Sequence, residues 1–169
     1  AFLLNNLFLV AAAFTVFFGT VFPLLSEGIR GVKVSVGAPF FNMVNIPIFL
    51  SLLFLMGIGP LIAWRRASRE NLRRNFLWPI GVGIAAALVL RLAGVANALA
   101  LLSMGLAVFV TGTIALDFFR ATRARLRSGE RLLPAMGGLL HRQNRRYGGF
   151  VVHLGILVIA LGVTGSQAW

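Results

Sequence analysis

No cysteine occurs among the 169 residues, and carboxylates are scarce: only Glu27, Glu70, Asp117 and Glu130. The first absence excludes disulfides, thiol nucleophiles, iron–sulfur clusters and cysteine zinc sites. With just two histidines, His141 and His153, the second leaves no paired acids for general acid–base work and no carboxylate-rich metal centre. A nucleophile beside a base and a glycine-rich phosphate loop are also missing from the sequence. What is abundant is apolar: hydrophobic residues make up 59% of the chain, and the mean hydropathy of +0.90 points to a polytopic membrane protein. No charged and cleavable leader pattern precedes the first apolar run. The chain opens on Ala1 and is expected to be part of something longer.

Five apolar segments stand out: Leu7 to Leu25, Ile46 to Trp64, Phe76 to Leu90, Val95 to Phe119 and Gly148 to Thr164. Each suits a hydrocarbon core about 30 Å thick at about 1.5 Å per residue. A single helix from Phe76 to Phe119 would be about 66 Å long, twice what a bilayer holds, so the third and fourth segments must form a hairpin. Arg91, Gly94 and Asn97 mark its turn. The expected architecture is all-α, one transmembrane helix bundle over 1–169 with about five spans.

The formal net charge of +12 is concentrated between spans. Thirteen of the sixteen basic residues fall in 65–75 and 120–146, leaving Arg30, Lys33 and Arg91 elsewhere. The positive-inside rule therefore predicts both basic loops and the N-terminus in the cytoplasm, with Trp169 on the periplasmic side. Nucleic acid is rejected as a partner, because the aromatics lie in the apolar runs and not among the arginines, which suit anionic lipid headgroups. In the outer loop, 26–45, alternation of Val32, Val34 and Val36 with Lys33 and Ser35 predicts a short strand ended by Gly37-Ala38-Pro39. Pro39, Phe40, Phe41 and Asn42 follow where the chain re-enters the membrane, a usual place for interfacial aromatics. Leu132, Leu133, Met136, Leu139 and Leu140, mixed with arginines, suggest a piece lying on the cytoplasmic membrane surface.

His153 is the residue without an obvious explanation. It lies about six residues inside the last span, roughly 9 Å deep, in the run Tyr147-Gly148-Gly149-Phe150-Val151-Val152-His153-Leu154-Gly155. Ionisable groups in a bilayer are costly and mark ligand sites or proton paths. At helical spacing its neighbours are Gly149, Phe150, Ile156, Leu157 and Ala160, small residues beside apolar wall. Such a surface suits a flat hydrophobic cofactor such as haem, which needs an axial imidazole and clearance around it. An interhelical hydrogen bond, a metal or haem ligand and a proton relay in a transporter or channel all stay open on these residues alone. Gly148, Gly155 and Gly162 instead suit close helix packing. Asp117, with Arg120 at i+3, reads as a snorkelling ion pair, while His141, Glu27, Glu70 and Glu130 read as ordinary solvated or interfacial groups.

Several stretches in order resemble one family. They are Leu3-Leu4-Asn5-Asn6, Gly19-Thr20-Val21-Phe22-Pro23-Leu24, Val34-Ser35-Val36-Gly37-Ala38-Pro39-Phe40-Phe41-Asn42 and Met56-Gly57-Ile58-Gly59-Pro60-Leu61 before Trp64-Arg65-Arg66. The run around His153, with Ile159-Ala160-Leu161-Gly162-Val163 and Ser166-Gln167, completes the set. Together they resemble the CcmF/NrfE haem lyases of cytochrome c maturation across essentially the whole chain. The resemblance implies a bacterial inner-membrane protein that takes haem from a haem chaperone. It joins that haem to the Cys-x-x-Cys-His motif of apocytochrome c at the periplasmic face, alongside thiol-reducing and chaperone factors. It also implies a haem b between two intramembrane histidines, reduced by quinol, which keeps the transferred iron reduced. His153 matches the second of those ligands, flanked by Gly149, Ile156 and Ala160, and Pro39, Phe40, Phe41 and Asn42 would shape the substrate side. The family's tryptophan-rich segment, its periplasmic histidines and the first membrane ligand have no match in this chain. They are expected upstream of Ala1, so the chain alone is not expected to catalyse ligation.

Overall fold

The computed structural model describes residues 2–59, 69–127, 129 and 144–168. Within them lie five helices, each long and apolar enough to cross a membrane: α1 (Phe2–Arg30), α2 (Ala38–Ile58), α3 (Arg69–Leu92), α4 (Ala98–Arg127) and α5 (Asn144–Ala168). The all-helical expectation holds. Long apolar side chains such as Phe17, Leu88, Val152 and Ile159 remain exposed, as lipid-facing residues must be when acyl chains replace a protein core. Contacts divide the chain into two compact units, 1–55 and 56–169.

In the first unit the short strand is not formed. Residues 31–37 are irregular, and no strand occurs among the described residues. A single extended segment has no partner to complete a ladder. The Val34 amide is satisfied instead by Ser26 Oγ at 2.9 Å. The outer loop also shrinks to these residues. Helix α1 runs on to Arg30 and stops at Gly31, whose φ of 65° admits glycine readily. Helix α2 starts at Ala38, with Pro39 in the first turn where its missing N–H costs nothing. Phe40, Phe41 and Asn42 are thus helical rather than loop residues. Phe41 has a packing task, because its ring fills the space a Cβ on Gly19 would need.

In the second unit α4 is the most enclosed element, with α3 against one side and α5 against another. The α3–α4 turn falls where the sequence puts it. Gly94 takes φ 101°, its N–H donates to Arg91 O, and the Val95 N–H donates to Leu90 O at 3.1 Å, the paired bonds of a Schellman cap. Asn97 then caps α4, its Oδ1 accepting from the Leu99 and Ala100 amides. Along the seam Gly83 and Gly105 let the two backbones meet, the close approach that small residues permit in a membrane. Phe76 stacks on Phe109 at 6.4 Å, and the Phe109 ring fills the place of a side chain on Gly57. Arg120 donates to Asn75 Oδ1 at 2.6 Å, so the basic residues at 69–75 and 120–127 extend helices rather than loops. The surface piece expected around Leu132 to Leu140, and the loop residues His141 and Glu130, lie outside the described residues.

The Gly83 contact is testable against its neighbour. A Cβ on Gly83 would lie 2.8 Å from the Gly105 carbonyl oxygen, whereas one on Gly81 meets nothing within 4 Å. Gly83→Ala is expected to destabilise the hairpin by about 1–3 kcal/mol through overpacking, read as a lower melting temperature in detergent. Gly81→Ala is expected to be neutral or slightly stabilising.

Candidate functional site

Helix α5 lies antiparallel to α4 and is fastened near both ends. At one end Ser103 and Thr164 share a hydrogen bond of 2.8 Å between their hydroxyls. At the other, Arg146 Nη2 donates to Asp117 Oδ1 in an ion pair, and the Tyr147 ring meets Phe118 edge-on at 5.7 Å. Tyr147 also packs edge-on against Phe150 at 5.7 Å. Polar pairs in lipid hold helices together because hydrocarbon offers no competing partner, at about 0.6–2 kcal/mol each. Between these anchors Phe150 and Leu157 face inward and are buried, whereas Val151, Val152, Val158 and Ile159 are exposed.

His153 sits on the shoulder between these two faces and is partly buried. Its Nδ1 is enclosed and has no hydrogen-bond partner. Among the described residues it makes no hydrogen bond to another helix. On the same shoulder Gly149 and Ala160 are partly buried and Ile156 is exposed, and a Cβ on Gly149 would meet nothing within 4 Å. The four residues share one stripe at helical spacing. No group of three or more His, Cys, Asp or Glu side chains able to hold a metal ion occurs among the described residues. One imidazole cannot cage a bare ion. It can supply an axial ligand to a metal whose equatorial positions are filled by a macrocycle.

Other assignments shift. Asp117 pairs with Arg146 on α5, not with Arg120, which turns to Asn75 on α3. Arg146, which the basic-loop reading set outside the membrane segment, begins the apolar span of α5. Pro39, Phe40, Phe41 and Asn42 belong to the first unit and His153 to the second. The anchors Ser103, Thr164 and Tyr147 carry no sequence signal of pairing, since Ser103 and Thr164 are 61 residues apart.

Tyr147 is 3% exposed, yet its hydroxyl has no partner. Its contribution is therefore the ring. Tyr147→Phe is expected to leave stability unchanged or raise it, because a buried unpaired hydroxyl is removed. Tyr147→Ala is expected to cost about 3–5 kcal/mol, both read by thermal unfolding in detergent.

No protein-family model and no solved structure matches the chain. Among curated proteins, a cytochrome c-type biogenesis protein CycK of Bradyrhizobium diazoefficiens is 34% identical over 174 residues, covering 100% of this chain and 25% of that protein. A cytochrome c-type biogenesis protein CcmF of Pseudomonas fluorescens is 36% identical over 96% of this chain and 24% of its own length. CcmF of Escherichia coli is 27% identical over 98% of this chain and 24% of its own length. The chain spans about a quarter of the length of these relatives. Five membrane-crossing helices and homology along its entire length make this chain a member of the CycK, CcmF and NrfE cytochrome c-type biogenesis proteins.

Proposed function

We propose that this chain is the portion of a cytochrome c haem lyase that supplies one axial ligand, His153, to a b-type haem in the membrane. The observation that carries the reading is an imidazole left without a hydrogen-bond partner among the described residues, its Nδ1 enclosed by protein, on a stripe where Gly149 has open space. A ring hydrogen-bonded to a neighbouring helix would have read as packing. Gly149 and Ala160 leave flat clearance beside the ring, and Ile156 offers apolar wall. The α4–α5 anchors hold the imidazole in place along the membrane normal. When bound, such a haem supplies one-electron chemistry, accepting electrons from quinol and keeping the iron of the transferred haem reduced.

In this reading the arginine-bearing ends of α3, α4 and α5 are cytoplasmic, in a bacterial inner membrane. The turn at Gly94 and the end of α5 are then periplasmic, where haem delivered by a chaperone meets apocytochrome c. The positive-inside rule likewise reads the first turn of α2, with Pro39, Phe40, Phe41 and Asn42, as periplasmic. Phe40 and Asn42, both exposed, are available to touch substrate, while Phe41 is occupied with Gly19. The second axial ligand and the haem-ligation groups belong to the rest of the lyase.

Reduced and oxidised absorbance spectra of the full-length protein test the ligand. A six-coordinate b-type spectrum is expected, lost with cytochrome c maturation in His153→Ala; a spectrum that survives this change intact would refute the assignment. Holocytochrome yield is expected to fall in a Phe40→Ala, Asn42→Ala double variant whose haem spectrum stays normal. A normal yield removes those residues from the substrate side.

A further inference from the structure

The charges on α4 and α5 are confined to one end. From Ala98 to Leu116, and again from Tyr147 to Ala168, neither helix carries an acidic residue, an arginine or a lysine. The cations Arg120, Arg123, Arg125, Arg127 and Arg146 all lie at the end beside Asp117. Arg146 precedes His153 by seven residues, which is two helical turns, about 10.5 Å along the axis, on nearly the same face. Its side chain is 50% exposed and engages a single carboxylate oxygen through Nη2. A guanidinium has five N–H donors in a planar fork, so a second anion can bind beside Asp117.

We propose that Arg146 binds a haem propionate and so sets which way round the haem lies beside His153. The inference rests on the haem reading above. A haem has two carboxylates on one edge, and taking them into lipid without a cation is costly. Between His153 and Ala168 helix α5 offers no cation, so the propionate edge turns toward the arginine end. Half the width of the macrocycle, a propionate arm and an arginine side chain together cover two helical turns. Asp117 acts as a positioning residue, holding the guanidinium against the seam through one carboxylate oxygen and leaving half of the side chain exposed.

The test uses the full-length protein with its haem. Arg146→Gln is expected to keep the six-coordinate spectrum, since His153 is untouched, but to lower the midpoint potential, because a cation near the iron favours the reduced state. It also releases haem to apomyoglobin roughly tenfold faster, the loss of about one charge-assisted hydrogen bond. The propionate bending band in the resonance Raman spectrum shifts, and Arg146→Lys restores most of the potential. Asp117→Asn separates this from helix packing: it leaves Arg146 for the propionate and keeps the potential at or above its starting value. Wild-type potential and release rate in Arg146→Gln, or Asp117→Asn reproducing the Arg146→Gln changes, overturns the proposal. Should Arg146→Gln fail to accumulate, Arg146→Lys decides, with an unshifted propionate band counting against the contact. Absence of a b-type spectrum in the unsubstituted protein, or its persistence in His153→Ala, sinks the haem reading instead.

Discussion

Helices in a bilayer gain little by hiding apolar surface from one another, because lipid tails are as apolar as leucine. The second unit is built around that constraint. Helices α3 and α4 are joined by backbone proximity at Gly83 and Gly105, with Phe76 stacked on Phe109 and Arg120 bonded to Asn75. What joins α4 to α5 is a polar anchor near each end, Ser103 with Thr164 and Asp117 with Arg146. Two anchors far apart on one antiparallel pair determine both the register and the rotation of α5. The rotation decides which residues occupy the shoulder: with Phe150 and Leu157 turned inward, His153, Gly149 and Ala160 fall beside the seam. The position of the imidazole is thus a consequence of polar contacts remote from it.

The parts of this architecture that depend on local physics are legible in the sequence. Spans follow from the length of apolar runs, and the hairpin from the impossibility of a helix twice the membrane's thickness. Arg91, Gly94 and Asn97 occupy the turn because glycine admits positive φ and asparagine caps a following helix. Helix ends were less legible, since hydropathy stops where charge begins whereas backbone hydrogen bonding continues. That is why Arg69 to Arg74 and Arg120 to Arg127 lie on helices. The alternating valines near Lys33 have strand propensity but no pairing partner, and pairing is a tertiary property.

The candidate site divides in the same way. His153 announces itself because an ionisable side chain inside an apolar run is rare, and its stripe follows from helical periodicity. The partner of Asp117 does not, because i+3 spacing points to Arg120, and Arg146 becomes its neighbour only where α4 and α5 lie side by side. Tyr147 is hidden for another reason. Next to a run of arginines it looks interfacial, yet its ring is enclosed between Phe118 and Phe150.

The cap at Gly94 and Asn97 has a consequence for biosynthesis. The bonds that close the turn, from Val89 to Leu101, are made within those thirteen residues. The α3–α4 pair therefore needs nothing synthesised later to satisfy its bend, and it can leave the translocon as a helical hairpin. Helix α5, whose anchors lie on α4, then docks onto a preassembled template.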